Sequence, residues 1–415
     1  MCEKPPSPRF SSVSGTGIFS GVEMIEVFTT ITDSYRYSKE LALFLTLLQK
    51  SLPCDAQLSL IRRIDDDAAA VLTLALEARL EKELLPEYFL ILKEPSLLIG
   101  KDAISILVNF LIQNPEIDCV LPSDFRGAPG SSCSPDYLSL RSFEAFVAGM
   151  ASSSDSVFPY DGREPFMFLV RSRALTDIEY STDVFQAPRL LGYRTAISPN
   201  AYIHPFFDYY TEKREEVAHL VPDSVSSVLD IGCTRGGFGG FLKKQRGCRV
   251  TGVEMNPVEG EKARDVLDDV IIGDVLCVDA KGPYDCVTCL DVIEHLEDPS
   301  RLLGRIRDEF LCDKGWLVMS VPNVGHWSIV EDLLAGRWDY LPVGILCNTH
   351  LRFFTRYSIA GYLEEHGFRI ENIVGTKLPV SGVILGNLQI LGENGMEIDF
   401  QSLEINSYLI LARKI

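Results

Sequence analysis

The sequence predicts an α/β protein made of two domains, each built on a largely parallel sheet. Three observations lead to this prediction: the length of 415 residues, the alternation of strand-like and helix-like runs in both halves, and a glycine-rich turn near the middle. Such a length exceeds one ordinary hydrophobic core, and strands that alternate with helices form parallel βαβ units. We expect a disordered tail over residues 1–20, a first domain over 21–212 and a second over 213–415.

The first half alternates short apolar runs with longer segments whose apolar residues recur at helical spacing. The predicted strands are residues 25–31, 56–61, 88–92 and 166–170, and one that ends at Val120. The predicted helices are residues 38–50, 103–113 and 143–150, and one that ends at Leu84. An extended segment ends at His204, and a charged connector over residues 209–222 leads to the second domain.

The second half is organised around residues 228–240, which read VLDIGCTRGGFGG. An apolar run leads into Asp230, a glycine-rich turn follows, and Phe241 continues into a helix-like segment. Glycine allows the positive φ angles of a tight turn and lets a ligand approach the backbone closely. A strand, a glycine turn and a helix in this order are typical of the first unit of a nucleotide-binding α/β domain.

Acidic residues follow three later strand-like runs. Glu254 ends the run after the glycine turn and follows Gly232 by 22 residues. An acidic residue at about 20 residues' distance accepts hydrogen bonds from ribose hydroxyls in such domains. Asp274 and Asp291 follow the next two runs. Because the carboxyl ends of parallel strands meet at one edge of a sheet, these side chains predict a site at that edge.

Two cofactor classes fit this layout. A dinucleotide site uses the spacing G-x-G-x-x-G, from which the residues after Gly232 depart because Thr234 stands at the second glycine position. The stretch resembles instead the class I S-adenosylmethionine-dependent methyltransferases, whose usual pattern is VLDIGCGxGxxxxxL, with Thr234 in place of its middle glycine. The resemblance implies two Rossmann-like domains, with a seven-stranded sheet in the second, and S-adenosylmethionine as the cofactor. A dinucleotide-dependent enzyme stays open as the alternative.

Three further motifs extend the resemblance through roughly residues 215–415. LDVIEHLEDP at residues 290–299 and VPNVGHW at 321–327 look like the branch that includes ubiquinone-biosynthesis O-methyltransferases. THLRFFT at 349–355 looks like the methyltransferase modules found beside glycosyltransferases in polysaccharide clusters. The implied reaction is methylation of an oxygen of a saccharide or related small acceptor. One departure is Cys347, which stands where the family usually has an aspartate.

The resemblance also implies roles for individual residues at the cofactor. Asp230, Gly232 and Gly236 would lie under the methionine moiety, with bracing of the turn as the alternative role for Asp230. Glu254 would take the ribose hydroxyls and Asp274 the adenine amino group. The predicted cofactor-binding residues are Asp230, Gly232, Cys233, Thr234, Gly236, Glu254, Met255, Asp274, Val275 and Leu290.

Three of the six histidines, His295, His326 and His350, are candidates for a general base, since an unperturbed histidine titrates near pH 6.5. His295, with Asp291 and Glu294, resembles the cluster that holds a divalent cation in ubiquinone-pathway O-methyltransferases, which makes Mg²⁺ a candidate second cofactor. The alternative is that the two carboxylates stabilise a helix N-terminus and His295 packs beneath it. We assign no metal ligands.

The first half resembles the family-2 glycosyltransferases in the order of its strands and helices. Where that family has its metal-binding D-x-D, this chain has Lys93 and Glu94. A lysine there places a positive charge where a divalent cation would bind carboxylates. The resemblance therefore implies a degenerate glycosyltransferase-like domain. A bifunctional glycosyltransferase and methyltransferase, and a non-catalytic binding module in glycan assembly, stay open as alternatives.

The resemblance implies a small-molecule or saccharide acceptor as the partner, and the composition argues against nucleic acid. The net charge is −19, and an acidic surface repels phosphate backbones, so nucleic acid is not expected. The eleven cysteines lack zinc-type spacing and suggest reduced thiols. No segment reaches the ~20 apolar residues of a membrane span, and the N-terminus lacks the apolar core of a signal peptide. We expect a cytoplasmic protein, with a homo-oligomer left open.

Overall fold

A computed structural model describes residues 25–32, 40–52, 56–63, 68–81, 85–93, 97–124, 126, 139–150, 158–178, 183–205, 213–280, 282–378 and 382–415. The predicted tail over residues 1–20 and Glu94 lie outside the described residues. The chain divides into two compact units, which are both discontinuous in sequence. The first unit is residues 1–31, 47–134 and 150–204, and the second is residues 32–46, 135–149 and 205–415.

The strands of the first half are β1 (Ile25–Thr32), β2 (Gln57–Arg63), β3 (Tyr88–Leu92), β4 (Leu97–Ile99), β5 (Cys119–Ser123), β6 (Phe158–Pro159), β7 (Met167–Arg171) and β8 (Thr195–Pro205). They form one sheet in the order β2-β1-β3-β7-β5-β8-β4, with β6 paired to β8. The helices of the first half are α1 (Glu40–Ser51), α2 (Ala68–Leu80), α3 (Ala103–Gln113), α4 (Leu140–Met150) and α5 (Ala187–Leu190).

The first sheet is mixed, since β6 pairs antiparallel with β8 and a second antiparallel strand is β7. It pairs antiparallel with both β3 and β5, whereas β1 with β3 and β5 with β8 are parallel. The sequence led us to expect parallel βαβ units in the first half, and this prediction is wrong at β7. Parallel neighbours need a crossover connection, usually through a helix, and an antiparallel strand does not.

The second sheet has seven strands, as predicted. They are β9 (Ser227–Ile231), β10 (Arg249–Glu254), β11 (Asp269–Ile272), β12 (Tyr284–Leu290), β13 (Leu311–Pro322), β14 (Phe368–Lys377) and β15 (Ile405–Lys414). Their order is β11-β10-β9-β12-β13-β15-β14. The first five run parallel, while β15 pairs antiparallel with both β13 and β14. This confirms the predicted Rossmann-like α/β class.

The helices of the second half complete the layers around this sheet. They are α6 (Glu215–Ala218), α7 (Gly237–Arg246), α8 (Pro257–Ala263), α9 (Pro299–Arg305), α10 (Trp327–Leu334), α11 (Arg356–Glu365), α12 (Gly382–Glu393) and α13 (Phe400–Leu403). The central strands β9 and β12 are apolar and buried, as expected for parallel strands covered on both faces. No helix in the described part of the chain is both long and apolar enough to cross a membrane.

The chain order of β9, β10, β11, β12 and β13 places a switch point in the sheet. β10 lies on one side of β9 and β12 on the other. In open parallel sheets, ligands bind at the carboxyl ends of the strands where the connections change direction. The residues that follow β9, β10 and β12 therefore lie where a ligand of such a sheet binds.

Candidate active site

A cavity of about 200 Å³ lies at this carboxyl edge of the second sheet. It is lined by Arg214, Asp230, Gly232, Cys233, Thr234, Phe238, Glu254, Leu290, Asp291 and Val292. Six of the ten predicted cofactor residues are among them: Asp230, Gly232, Cys233, Thr234, Glu254 and Leu290. The cavity thus joins residues from the ends of three strands, as the sequence pattern predicts for a ligand site at a switch point.

The glycine turn forms one wall of the cavity. Gly232 has a φ of 74°, and a Cβ there would come within 2.8 Å of a methyl carbon of Val292. Thr234, the residue in place of the middle glycine, also has a positive φ, of 49°. A non-glycine residue in this region costs of order 1–3 kcal/mol and persists where the surrounding structure holds it. Here the Thr234 N–H donates to Oε2 of Glu254 at 2.9 Å.

The Glu254 carboxylate is held by backbone donors on both of its oxygens. Oε1 accepts from the N–H of Asn256 at 2.7 Å, and Oε2 accepts from the N–H of Thr234. Burial raises the pKa of Glu254, and the two backbone hydrogen bonds oppose that shift. The side chain is therefore fixed in direction at the end of β10. A carboxylate oxygen has a further lone pair that can accept a ligand hydroxyl.

Asp230 lies deeper, under the turn. Its Oδ1 accepts from the hydroxyl of Thr288 at 2.6 Å. Its Oδ2 faces the backbone of α7, where a Cβ on Gly239 would approach it to 3.2 Å. Burial raises the pKa of Asp230 to about 6, and the nearby Glu254 charge adds to the shift. These contacts match the bracing role, while the place of Asp230 in the cavity wall keeps direct contact with a ligand open.

The other four predicted cofactor residues surround the cavity without lining it. Gly236 is the N-cap of α7 with a φ of 79°. Met255 follows Glu254 with 68 % of its surface exposed. Asp274 is exposed after β11, and its Oδ1 accepts from the N–H of Leu276, while Val275 is buried.

Arg214 is the functional candidate that sequence reasoning missed. Its Nη1 donates to Oδ2 of Asp291 at 2.5 Å, and its Nη2 donates to the Ser320 hydroxyl at 3.2 Å. Burial disfavours the guanidinium charge, but Asp291 and Glu216 outweigh it and raise the pKa of Arg214. Both Arg214 and Asp291 have positive φ angles, of 47° and 51°. The sequence marks Arg214 only as part of a charged connector, so no motif could have singled it out.

A second group of polar side chains lies just past β12. Glu294, in the 3₁₀ turn Ile293–His295, is only 1 % exposed, and within the described residues neither of its oxygens has a hydrogen-bond partner. Burial, and then the charge of Asp291, raise the pKa of Glu294 well above its usual value. Glu294, His295 and His350 present ligand atoms within 4.8 Å of one another.

The two histidines of this group are ring neighbours, with centroids 4.7 Å apart. Nδ1 of His350 lies 2.9 Å from the carbonyl oxygen of Ile345. A carbonyl oxygen only accepts, so Nδ1 of His350 donates this hydrogen bond. The backbone N–H groups of Leu351 and Arg352 donate to the carbonyl oxygen of Glu294, at 2.7 and 3.0 Å. The structure thereby joins the THLRFFT motif to the LDVIEHLEDP motif.

A carboxylate and two imidazoles are a chemically reasonable ligand set for a divalent transition metal. Magnesium prefers an octahedral shell of oxygens, so this donor set suits Mg²⁺ poorly. The orientation of His350 by a backbone carbonyl is the kind of support that metal-binding histidines usually have.

His326 is placed differently from the other two histidines. It is the N-cap of α10, and its Nδ1 accepts from the backbone N–H of Ser328 at 3.4 Å and lies 2.9 Å from the Ser328 hydroxyl. The side chain is fully buried, and burial lowers its pKa to about 4. It is not part of the group that contains His295 and His350. At neutral pH its imidazole is therefore uncharged.

Comparison with known proteins agrees with this geometry. Residues 202–373 match the family model described as "Methyltransferase domain". The chain is 29 % identical over 160 residues to a ubiquinone biosynthesis O-methyltransferase of Pseudomonas aeruginosa (strain UCBPP-PA14), covering 36 % of this chain and 66 % of the relative. It is 32 % identical over 160 residues to one from Stutzerimonas stutzeri, with the same shares. The chain therefore spans just under two thirds of the length of these relatives.

Solved structures of S-adenosylmethionine-dependent methyltransferases also align with about half of the chain. One from Archaeoglobus fulgidus is 21 % identical, with 49 % of this chain and 95 % of that chain covered and a TM-score of 0.35. One from Thermotoga maritima is 17 % identical, with 48 % and 87 % covered and a TM-score of 0.36. With the family match, the strand order and the cavity considered together, residues 202–373 of this chain correspond to a methyltransferase domain.

Proposed function

We propose that the chain transfers the methyl group of S-adenosylmethionine to an oxygen atom of a small acceptor. The observation that carries this proposal is the cavity after β9, β10 and β12, which gathers six predicted cofactor residues inside the stretch that matches the methyltransferase family. An oxygen acceptor is supported by the similarity to ubiquinone biosynthesis O-methyltransferases. The saccharide acceptor rests on the sequence resemblance of the THLRFFT motif.

Each residue of the cavity has a proposed task. Glu254, held by two backbone N–H groups, accepts the ribose hydroxyls. Arg214 is a cation in the cavity wall and binds the carboxylate of the methionine moiety, with Asp291 setting its direction. Because Gly232 has no side chain, the ligand can approach the backbone closely at this residue. The remaining predicted residues, Cys233, Thr234, Gly236, Met255, Asp274, Val275 and Leu290, complete the proposed cofactor surface.

The reaction needs alignment and the removal of one proton. When bound, S-adenosylmethionine supplies an electrophilic methyl group, which the acceptor oxygen takes as the carbon–sulfur bond breaks. The chain must hold that oxygen in line and accept its proton. We propose the pair His295 and His350 for this task, because their rings are neighbours beside the buried Glu294 and an imidazole can act as a general base. His326 stays a candidate base, since its neutral ring is ready to accept a proton, although its low pKa makes it a weak one.

We also propose that a divalent metal ion can bind beside the acceptor. If an ion binds, Glu294, His295 and His350 would hold it, so the two histidines would then serve as ligands in place of the base, and their mixed oxygen and nitrogen donors favour manganese or zinc over Mg²⁺. A cation there would lower the pKa of an acceptor hydroxyl that it touches. Without a cation, we propose that the Glu294 carboxyl is protonated, because it is buried beside Asp291.

Calorimetric titration of the full-length protein with S-adenosylmethionine tests the cofactor assignment. We expect saturable binding, and at least a tenfold weaker affinity for Glu254→Gln, because a charge-assisted hydrogen bond contributes about 1.5–3 kcal/mol. The matched control is Glu261→Gln on α8, an exposed glutamate paired with Arg264, which should bind like wild type. Equal affinities for wild type and Glu254→Gln would refute the role of Glu254. Absence of binding to wild type, with and without Mg²⁺, Mn²⁺ or Zn²⁺, would refute the function.

The first unit supports a second candidate function, which is binding without catalysis. Lys93, at the end of β3, forms an ion pair with Glu164 at 2.6 Å, so the position is occupied by a cation of the chain itself. We propose that residues 21–212 are a degenerate glycosyltransferase-like domain that holds a saccharide for the second domain, residues 213–415. Turnover of any member of a nucleotide-sugar panel by the full-length protein would favour the bifunctional enzyme instead.

A further inference from the structure

Helix α4 comes from the first half of the chain but belongs to the second unit. Residues 135–149 cluster with residues 205–415, although the methyltransferase family match covers only 202–373. At the start of α4, Ser139 and Ser142 each accept a hydrogen bond from the other's backbone N–H. Phe143 and Val147 are buried, one helical turn apart. The helix is thus well defined at its start and has an apolar face.

The polar face of α4 contacts the C-terminal half of α10. Nε of Arg141 donates to Oδ1 of Asp332 at 2.6 Å, and Nη2 of Arg141 lies 2.8 Å from Oε1 of Glu331. Asp332 is only 2 % exposed. A buried carboxylate is costly unless it is paired. Asp332 therefore ties α10 to α4 more firmly than an exposed ion pair would.

The same face also contacts the segment that follows α10. We call residues 335–355 the acceptor loop. Oε2 of Glu144 lies 3.0 Å from Nη1 of Arg337. The backbone N–H of Arg337 donates to the carbonyl oxygen of Asp332 at 2.8 Å. Arg141 and Glu144 therefore hold the two sides of one turn, at the point where the acceptor loop begins.

The far end of the acceptor loop reaches the polar group after β12. It carries His350, and its Leu351 and Arg352 N–H groups donate to the carbonyl oxygen of Glu294. The rings of Trp338 and Phe353 pack edge to face, with centroids 5.2 Å apart, and connect the two ends. A displacement of the first end would therefore be transmitted to His350 through a packed segment.

We propose that Arg141 and Glu144 of α4 are positioning residues for the acceptor side of the methyl-transfer site. They act through α10 and the acceptor loop, and touch neither of the two histidines. The inference rests on the proposed function, since it takes residues 335–355 as the acceptor side. It makes α4 a part of the methyltransferase site that lies outside the stretch recognisable from the family.

Hydrogen exchange of the full-length protein tests this proposal, with S-adenosylmethionine affinity measured on the same samples. The variants are Arg141→Met, Glu144→Gln and the control Arg369→Met, an exposed arginine of β14 paired with Glu371. For Arg141→Met we expect about tenfold faster exchange in peptides of residues 327–355, with unchanged exchange in residues 228–256, because local opening is set by local contacts. Glu144→Gln should give a smaller increase confined to residues 335–345. The affinity for S-adenosylmethionine should stay within about twofold of wild type.

Two outcomes would overturn the proposal. Unchanged exchange in residues 327–355 would mean that α4 does not hold the acceptor loop. A uniform increase through the second unit would mean that Arg141 only adds stability. If Arg141→Met does not fold, the exchange rates of Glu144→Gln test the proposal. The ion pair of Glu144 with Arg337 is half exposed, so this variant should still fold. A failure of wild-type protein to bind S-adenosylmethionine would refute the proposed function instead, and the exchange pattern would still report on the contact itself.

Discussion

At the scale of single residues, the cavity is distinguished by its backbone. The structure has five non-glycine residues with positive φ among those described, and three of them, Arg214, Thr234 and Asp291, line the cavity. Such conformations are concentrated at functional sites, where the surrounding contacts hold them. Thr234 is held by Glu254, and Asp291 accepts from both Arg214 and Ser320. The strained backbone and the polar contacts therefore both indicate this cavity as the functional site.

The pH dependence of stability gives a residue-scale prediction for His326. Its pKa is about 4 in the folded chain and near 6.5 when unfolded, so only the unfolded chain takes up a proton between these values. Stability from the neutral ring is then complete above pH 6.5 and is lost as the pH falls toward 4. Between pH 7.5 and 5.0 the loss should be about 2 kcal/mol.

His326→Asn isolates this effect, because asparagine is also a good N-cap. Urea unfolding at both pH values should show that the wild type loses about 2 kcal/mol more than the variant on going to pH 5.0. The comparison of wild type with the variant is needed because Asp230 also changes the stability in this pH range. Its raised pKa makes the folded chain more stable as the pH falls from 6 toward the unfolded value, which is opposite in sign to the effect of His326. Parallel pH profiles for the two proteins would contradict the buried, neutral state of His326.

At the scale of elements, helix α7 must lie very close to the sheet. A Cβ on Gly239 would come within 2.7 Å of Leu267 and 2.9 Å of Val250, besides Oδ2 of Asp230. The next glycine of the helix has the same constraint, since a Cβ on Gly240 would meet Val266. The glycines after the turn are thus needed for packing of α7, in addition to the ones that bend the backbone.

We expect Gly239→Ala to destabilise the protein by about 1–3 kcal/mol, the range for overpacking a filled core. The matched control is Gly361→Ala in α11, where no atom lies within 4 Å of the added Cβ. That change should stabilise by about 0.5–1 kcal/mol, because alanine is the better helix former. Equilibrium unfolding in urea measures both. A neutral result for Gly239→Ala would show that α7 can move away from the sheet without cost.

At the scale of the whole molecule, ligand binding should separate the two units. A ligand at 100 times its Kd stabilises the folded state that binds it by about 2.7 kcal/mol. We expect S-adenosylmethionine to slow hydrogen exchange in β9, β10 and β12 of the second unit and to leave β3 and β5 of the first unit unchanged. Equal protection of both sets of strands would contradict a cofactor site built from the second unit alone.

Much of the second unit could be predicted from sequence because its signals are local. The glycine turn and Asp230 lie within a few residues of β9, and Glu254, Asp274 and Asp291 each end or directly follow a strand. Parallel pairing then brings the carboxyl ends of the strands to one edge of the sheet, independently of the side chains that they carry. The strand directions of the first sheet were harder to predict, because the antiparallel direction of β7 depends on pairing with strands far away in the chain.

The sequence by itself determined the α/β class and the glycine turn with its acidic neighbours, because both follow from short-range periodicity and backbone geometry, while the seven-stranded second sheet was implied by the family resemblance. Only the tertiary structure decided that Arg214 reaches Asp291, that His295 and His350 form a pair with Glu294 while His326 caps α10, and that α4 belongs to the second unit. The physical reason is distance along the chain. Arg141 and Asp332 are 191 positions apart, and only burial of one carboxylate beside one guanidinium selects that contact.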